Sequence, residues 1–225
     1  MNQPVVELVN VSFARAKSAC QKWHYSGTLP SNTTKKYGFY EDGKFIGIVS
    51  FGTGANNNML NPFGLTQQQG CELTRIALRE HKCFVSQVMM MAIKKLKRDC
   101  PDYQLIVSYS DEGQKHLGKV YQATNWIYTG TLEWQKKLMV NGKIQHSKTV
   151  YEKYGTNSAV KLIEMRCDAK WIEVPSKHRY LYPLNKKIRK KLLEKALPYP
   201  KEIVSTAVLP KKEDVNKTMM ENVFG

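Results

Sequence analysis

Apolar positions along this chain recur with two periods, and the change from one to the other marks out its elements. Leu73, Arg75 and Ala77 alternate with Thr74, Ile76 and Leu78. Apolar side chains on both faces of that run predict a strand buried inside a sheet. An arginine there needs a partner or a ligand. From Val85 to Leu96 the period becomes helical: Val85, Val88, Met89, Ala92, Ile93 and Leu96 form one face, and Lys94, Lys95 and Lys97 fill the other. Ser86 is the expected N-cap, and Pro101 closes the segment. Tyr103 to Ser110 predicts a second buried strand that ends in Asp111, and a helix follows from about Gln114 to Ala123.

Elsewhere the pattern is punctuated by turn chemistry. Val5 to Val11 reads as a short strand, and Ser12 caps a helix whose Phe13, Ala16, Cys20 and Trp23 share a face, before the loop that carries His24 and Tyr25. Asp42-Gly43 between two β-rich segments specifies a hairpin with a type I′ turn, and Asn141-Gly142 specifies another. The second hairpin is expected to extend the main sheet as a basic ribbon. Residues 52–64 read as a flexible polar loop. Periodicity fades after Lys201, and residues 202–225 read as a flexible tail.

Charge changes the picture more than composition does. The 225 residues, 42% of them hydrophobic, suffice for one main core with an appendage. The net charge is +16, and residues 134–201 hold 14 Lys and 3 Arg against 5 acidic residues, so twelve of those charges are in the appendage. A charge this large favours a polyanionic partner. Within the appendage, Lys177, Arg179, Lys186, Lys187, Arg189, Lys190 and Lys191 interleave with Tyr180 and Tyr182. Cations for phosphates beside rings for bases make these, with Tyr180, the candidate DNA-binding set. The expected division is a core over 1–133, the basic appendage that completes it over 134–201, and the tail.

Several classes are disfavoured. The five cysteines form no C-x-x-C pair and leave an odd thiol, which argues against a disulfide framework or a zinc ribbon. The longest apolar run, Phe84 to Ile93, is interrupted by Ser86 and Gln87 and is too short to span a bilayer. No membrane association is expected, no signal peptide is evident, and the cytoplasm is the expected location.

Candidate chemistry gathers at the end of the Tyr103–Ser110 strand, since ligands collect at the carboxyl ends of sheet strands. Ser108, Tyr109, Ser110 and Asp111 lie there, with Arg75 on the preceding strand and Tyr121 on the following helix. Arg75 and Asp111 also read as a purely structural ion pair, and Tyr121 as a core tyrosine.

The order strand, helix, hairpin, strand, helix, strand, helix, strand resembles the GNAT acyltransferase fold, an α/β (α+β) architecture with a mixed, mostly antiparallel sheet flanked by helices. The segment from Tyr121 to Trp126 is similar to its Tyr-x-x-x-Gly-Phe ending, with Asn125-Trp126 in place of Gly-Phe. More closely, HYSG, FYEDGKFIGIVSFG, ELTRIALRE, SYSDEGQKHLG and YQATNWIYTG resemble the Mom family of phage DNA-modification proteins, over His24 to Lys201. That resemblance implies a transferase that converts the N6 amine of DNA adenine to a carbamoylmethyl (glycinamide) derivative and protects phage DNA from host restriction.

The roles it implies are Asp111 as proton acceptor, Tyr121 as general acid, Arg75 as stabiliser of negative charge, and Tyr25 and His24 as pocket walls. Ser108, Ser86 and Tyr128 would contact substrate or cofactor. An acyl-CoA such as acetyl-CoA is the implied cofactor, although Arg79 to Phe84 lacks the glycines of the usual pyrophosphate loop. A carbamoylmethyl group is joined through carbon, so plain acyl transfer does not make it in one step. Iron is also implied, with His24, Asp111 and Tyr121 as its N and O ligands. DNA presented as a flipped or single-stranded base is the expected partner, and a homodimer the expected assembly. Two other classes stay open: a GNAT N-acetyltransferase acting on a protein, RNA or small-molecule amine, and a non-catalytic DNA-binding protein.

Overall fold

The strongest local signals set the frame. In the computed structural model, which describes residues 4–54, 56–111, 117–132, 135–145, 147–174 and 177–201, Asp42 and Gly43 both adopt positive φ (48° and 77°), as a type I′ turn requires. They join β2 (Thr33–Glu41) to β3 (Lys44–Gly52). Strand β1 (Val6–Asn10) pairs with β2, and the Ser12 side chain caps α1 (Phe13–Trp23) by accepting from the Arg15 amide at 3.2 Å. Ala16, Ala19 and Cys20 are the buried residues of α1, and they pack on Ile48 and Ala77. Phe13, expected on that face, stays 40% exposed at the first helical turn.

The main sheet has seven strands in the order β1-β2-β3-β4-β5-β10-β6. They include β4 (Gly70–Leu78), β5 (Leu105–Asp111), β6 (Ile127–Thr131) and β10 (Lys177–Pro183). All pairings are antiparallel except β4 with β5. That exception makes the site. Parallel pairing runs only from Gly70↔Leu105 to Glu72↔Val107, so the two strands part beyond those residues.

Helix α2 (Val85–Asp99) buries Val88, Met89, Ala92, Ile93 and Leu96 against the sheet, as its periodicity predicts. Its N-cap is Phe84, without a side-chain hydrogen bond, and Ser86 is already the second helical residue, so the expected serine cap is not formed. Of the helix expected over 114–123, α3 spans Lys119–Gln122, while residues 112–116 lie outside the described residues. Asn125 adopts a φ of +59°, the left-handed conformation that a glycine takes most readily and asparagine tolerates.

Two expectations are corrected. The hairpin at Asn141-Gly142 forms, joining β7 (Gln135–Val140) to β8 (Lys143–Gln145), but β7 pairs with β9 (Ala169–Val174) in a separate three-stranded sheet. It does not extend the main sheet, because β10 occupies the place beside β5 and β6. The small sheet has its own core of Leu138, Val140 and Ala169 against Val150 of α4 (Ser147–Tyr154) and Leu162 of α5 (Ala159–Glu164). The loop over 52–64 is not simply polar: Leu60 and Phe63 are buried with Leu105, Val107, Leu181 and the Ile188 and Leu192 of α6 (Lys186–Leu193). Apolar side chains spaced among asparagines carry no periodic signal, yet they cover one face of the sheet. The tail expected over 202–225 lies outside the described residues.

Candidate active site

Where β4 and β5 part, a cavity of about 630 Å³ opens, walled by Glu72 to Ile76, Tyr109 to Asp111, the segment 23–25, Val85 and residues 117–121. Four predicted catalytic residues, Asp111, Arg75, Tyr121 and Tyr25, share this cavity with His24 and Lys177.

Arg75 is held from two sides. Its Nε donates to the Thr28 carbonyl at 2.9 Å and its guanidinium to the Thr74 carbonyl at 2.6 Å. The loop after α1 is thereby tied to β4, and a fixed positive charge stands in the wall. On the same loop His24 and Tyr25 stack, with ring centroids 4.4 Å apart. Loss of water around the hydroxyl raises the Tyr25 pKa, the Asp111 charge raises it further, and Arg75 acts against both. Both charges therefore act on the Tyr25 hydroxyl across the cavity, although Tyr25 is 60% exposed overall.

Tyr121 stands on α3, which begins at Gly118. Gly118 has a φ of +67°, and a Cβ on it would lie 2.5 Å from the Tyr180 ring, so the close approach of α3 to β10 needs glycine. The Tyr180 hydroxyl donates to the Leu117 carbonyl at 2.6 Å and fastens the start of α3. Ser108 Oγ lies 2.9 Å from both the Leu73 carbonyl and the Tyr121 hydroxyl. Its single proton serves one of them at a time. Burial pushes the Tyr121 hydroxyl up to about 12, against the lowering effect of Ser108, so it holds its proton at neutral pH.

Other expected site residues fall elsewhere. Ser108 is 1% exposed and lies behind Tyr121 instead of in the cavity wall. Ser86 borders a second, shallower cavity with Phe84, Asn125, Tyr182 and Arg189. Tyr128 is buried on β6, its hydroxyl 3.0 Å from His178 Nδ1, away from the cleft wall. Tyr180 is fully buried, so its ring has no face to offer a nucleic-acid base.

Of the basic set, Arg179 donates to the Thr129 hydroxyl and covers the Phe63 ring, and Lys191 donates to the Phe63 carbonyl. Lys186, Lys187, Arg189 and Lys190 lie on α6, which follows Pro183, the partner of Leu105 at the start of β5. Asp111 is six residues further along β5, about 20 Å at the usual rise of a strand.

The sequence pattern missed Glu72 and Lys119, both in the cavity wall, where Ser110 also stands. Ser110 is 6% exposed, and among the described residues its Oγ has no hydrogen-bond partner.

The expected cofactors meet the residues differently from the expectation. Before α2, the Lys82 amide donates to both Glu41 carboxylate oxygens at 3.0 Å and the Cys83 amide to one of them at 2.6 Å. Burial alone would raise the Glu41 pKa, but these amides hold it below its ordinary value. A carboxylate of the chain itself thus occupies two donors of this loop, so the Lys82 and Cys83 amides are not open to the pyrophosphate of a CoA. For a metal, His24 Nδ1 accepts from the Ser26 amide at 3.1 Å. In the neutral ring its Nε2 then carries the proton and has no lone pair for a metal. Among the described residues no three His, Cys, Asp or Glu side chains gather as a metal centre, and His24 as it is hydrogen-bonded does not fit the expected iron site.

Comparison with known proteins follows the same lines. Solved structures similar to the chain include a Bacillus subtilis acetyltransferase in complex with CoA (14% identity, 81% of this chain and 100% of that one, TM-score 0.44). The Campylobacter jejuni N-acetyltransferase PseH is also similar (14%, 81% and 100%, TM-score 0.41), as is a Vibrio cholerae spermidine N-acetyltransferase in complex with CoA and spermine (9%, 79% and 95%, TM-score 0.42). Among curated proteins, the Methylcarbamoylase mom of Escherichia phage Mu is 27% identical over 203 residues, in a match that covers 83% of this chain and 80% of that protein. The model of the Mom protein family matches residues 5–201, which span every element described above, and the chain belongs to that family.

Proposed function

We propose that this chain is a DNA-modifying transferase that places a carbamoylmethyl group on the N6 of adenine, protecting phage DNA from host restriction. The observation that carries the reading is the cavity at the parting of β4 and β5, which gathers Arg75, Asp111, Tyr121 and Tyr25 in a member of the Mom family. The name of the phage Mu relative, a methylcarbamoylase, supports the group transferred.

The N6 amine is a poor nucleophile, because its lone pair is delocalised into the ring, and within a duplex it is inaccessible. The base therefore leaves the stack and enters the cavity, which is of the size that small ligands occupy. The stacked His24 and Tyr25 form an aromatic wall for it. The Asp111 carboxylate accepts a hydrogen bond from the amine and takes its proton as the new bond forms. Arg75, immobilised by two carbonyls, stabilises negative charge that develops in the transition state. Tyr121, protonated at neutral pH, donates a proton to the group that departs.

The test is mass spectrometry of nucleosides from plasmid DNA of bacteria that express the protein or its Asp111→Ala variant. A deoxyadenosine heavier by a glycinamide-sized group, present with the protein and absent with the soluble variant, is the expected result. Unmodified DNA from cells with abundant soluble protein overturns the reading.

A further inference from the structure

The small sheet is inserted into the main sheet at its catalytic end. It lies between β6 and β10, and its described residues begin three positions after Leu132 and end three before Lys177. The Leu132 amide donates to the Lys177 carbonyl at 2.9 Å, and Lys177 is the cross-strand partner of Asp111. Both ends of the insertion are therefore tied to the cavity wall. By contrast, the basic α6 follows from the opposite end of β10.

The two faces of the small sheet differ. Leu138, Val140 and Ala169 face α4 and α5. The register puts Ile144, Met139 and Lys170 in one row on the other face, with Lys137 and Ile172 in the next. Met139, Ile144 and Ile172 belong to no buried cluster of the described residues, and Ile144 is 52% exposed. Lys170 is exposed and Lys137 half-buried, and among these five residues there is no acid. Apolar positions between cations, without a carboxylate, complement a polyanion with apolar edges.

We propose that this open face, Lys137, Met139, Ile144, Lys170 and Ile172, is the DNA-docking surface that delivers the target base to the cavity. The inference rests on the reading of the chain as a DNA-modifying transferase. The two lysines pair with phosphates, and the apolar residues between them lie against the sugar and base edges next to the extruded nucleotide.

The test uses the full chain and a fluorescent adenine-containing duplex titrated over a range of salt. Each phosphate contact adds about 0.9 to the slope of log affinity against log salt, so Lys137→Ala with Lys170→Ala lowers that slope by about two. Ile144→Lys, at an exposed position, raises it by about one. Circular dichroism identical to that of the unchanged protein shows that the variants fold. An unaltered slope in both overturns the proposal, as does a slope that falls only when Lys186, Lys187, Arg189, Lys190 and Lys191 are neutralised. Self-association of the protein that Ile144→Lys abolishes also overturns it, because a second copy then covers the face. Nucleoside mass spectrometry on DNA from cells with the unchanged protein reports separately on the transferase reading, so either idea can fail alone.

Discussion

Asp111 and Lys177 are direct cross-strand partners where β5 meets β10, and both border the cavity. The carboxylate proposed to take a proton from the amine thus stands beside a cation on the neighbouring strand. Asp111→Asn preserves shape and removes the proton acceptor. Turnover is expected to fall by about 10²-fold or more, with DNA affinity unchanged. Single-turnover modification of an oligonucleotide, read beside a binding titration, checks both. A variant that loses DNA affinity instead places Asp111 in binding.

Tyr121 depends on Ser108 for orientation, and the two substitutions separate orientation from acid chemistry. Tyr121→Phe removes the proton that is donated, so kcat falls by about 10²-fold with KM little changed. Ser108→Ala leaves the Tyr121 hydroxyl without its 2.9 Å partner and is expected to cost about 1 kcal/mol of stability, with a smaller loss of kcat. Steady-state kinetics with urea unfolding distinguishes the two.

Alkaline pH is expected to loosen this region. Burial pushes both Tyr121 and Tyr180 up to about 12, above the ordinary tyrosine value of 10. A raised folded-state pKa means stability that is fully present below pH 10 and lost as pH rises towards 12. Unfolding free energies measured from pH 8 to 11.5 should fall in that window. The fall should be shallower in Tyr121→Phe than in the unchanged protein.

Glu41 is expected to be structural. Glu41→Ala removes the acceptor of the Lys82 and Cys83 amides and should cost about 1–3 kcal/mol, the usual penalty for orphaned buried donors. Because its folded-state pKa is lowered, its contribution is present above the ordinary glutamate range and disappears as pH falls through the folded value. Urea midpoints for the variant and the unchanged protein should therefore converge in acid. Midpoints that stay equally far apart at every pH would contradict this role.

Gly118 should tolerate no side chain. Gly118→Ala places a Cβ 2.5 Å from Tyr180 at a φ of +67°, so α3 must shift, and Tyr121 with it. A loss of turnover accompanied by a lower melting temperature is the expected outcome. Unchanged activity would show that α3 has room to move.

Local signals in the chain were enough for the elements that local physics decides. Asp42-Gly43 and Asn141-Gly142 make their turns because two adjacent residues prefer positive φ, Ser12 caps the helix that starts beside it, and α2 presents the face its 3.6-residue period marks. An arginine in a buried strand and an aspartate at a strand end were legible as chemistry for the same reason, since each conflicts with its own surroundings. Tertiary structure decided what depends on residues far apart in sequence. The place of β10 beside β5 made Lys177 the neighbour of Asp111, buried Tyr180 and left the second hairpin to form a sheet of its own. Contact between Glu41 and the amides of Lys82 and Cys83, some forty residues away, gave two donors of the loop before α2 a partner from within the chain. No periodicity encodes such pairings, because register across a sheet follows from the packing of the whole core and not from the order of side chains along one strand.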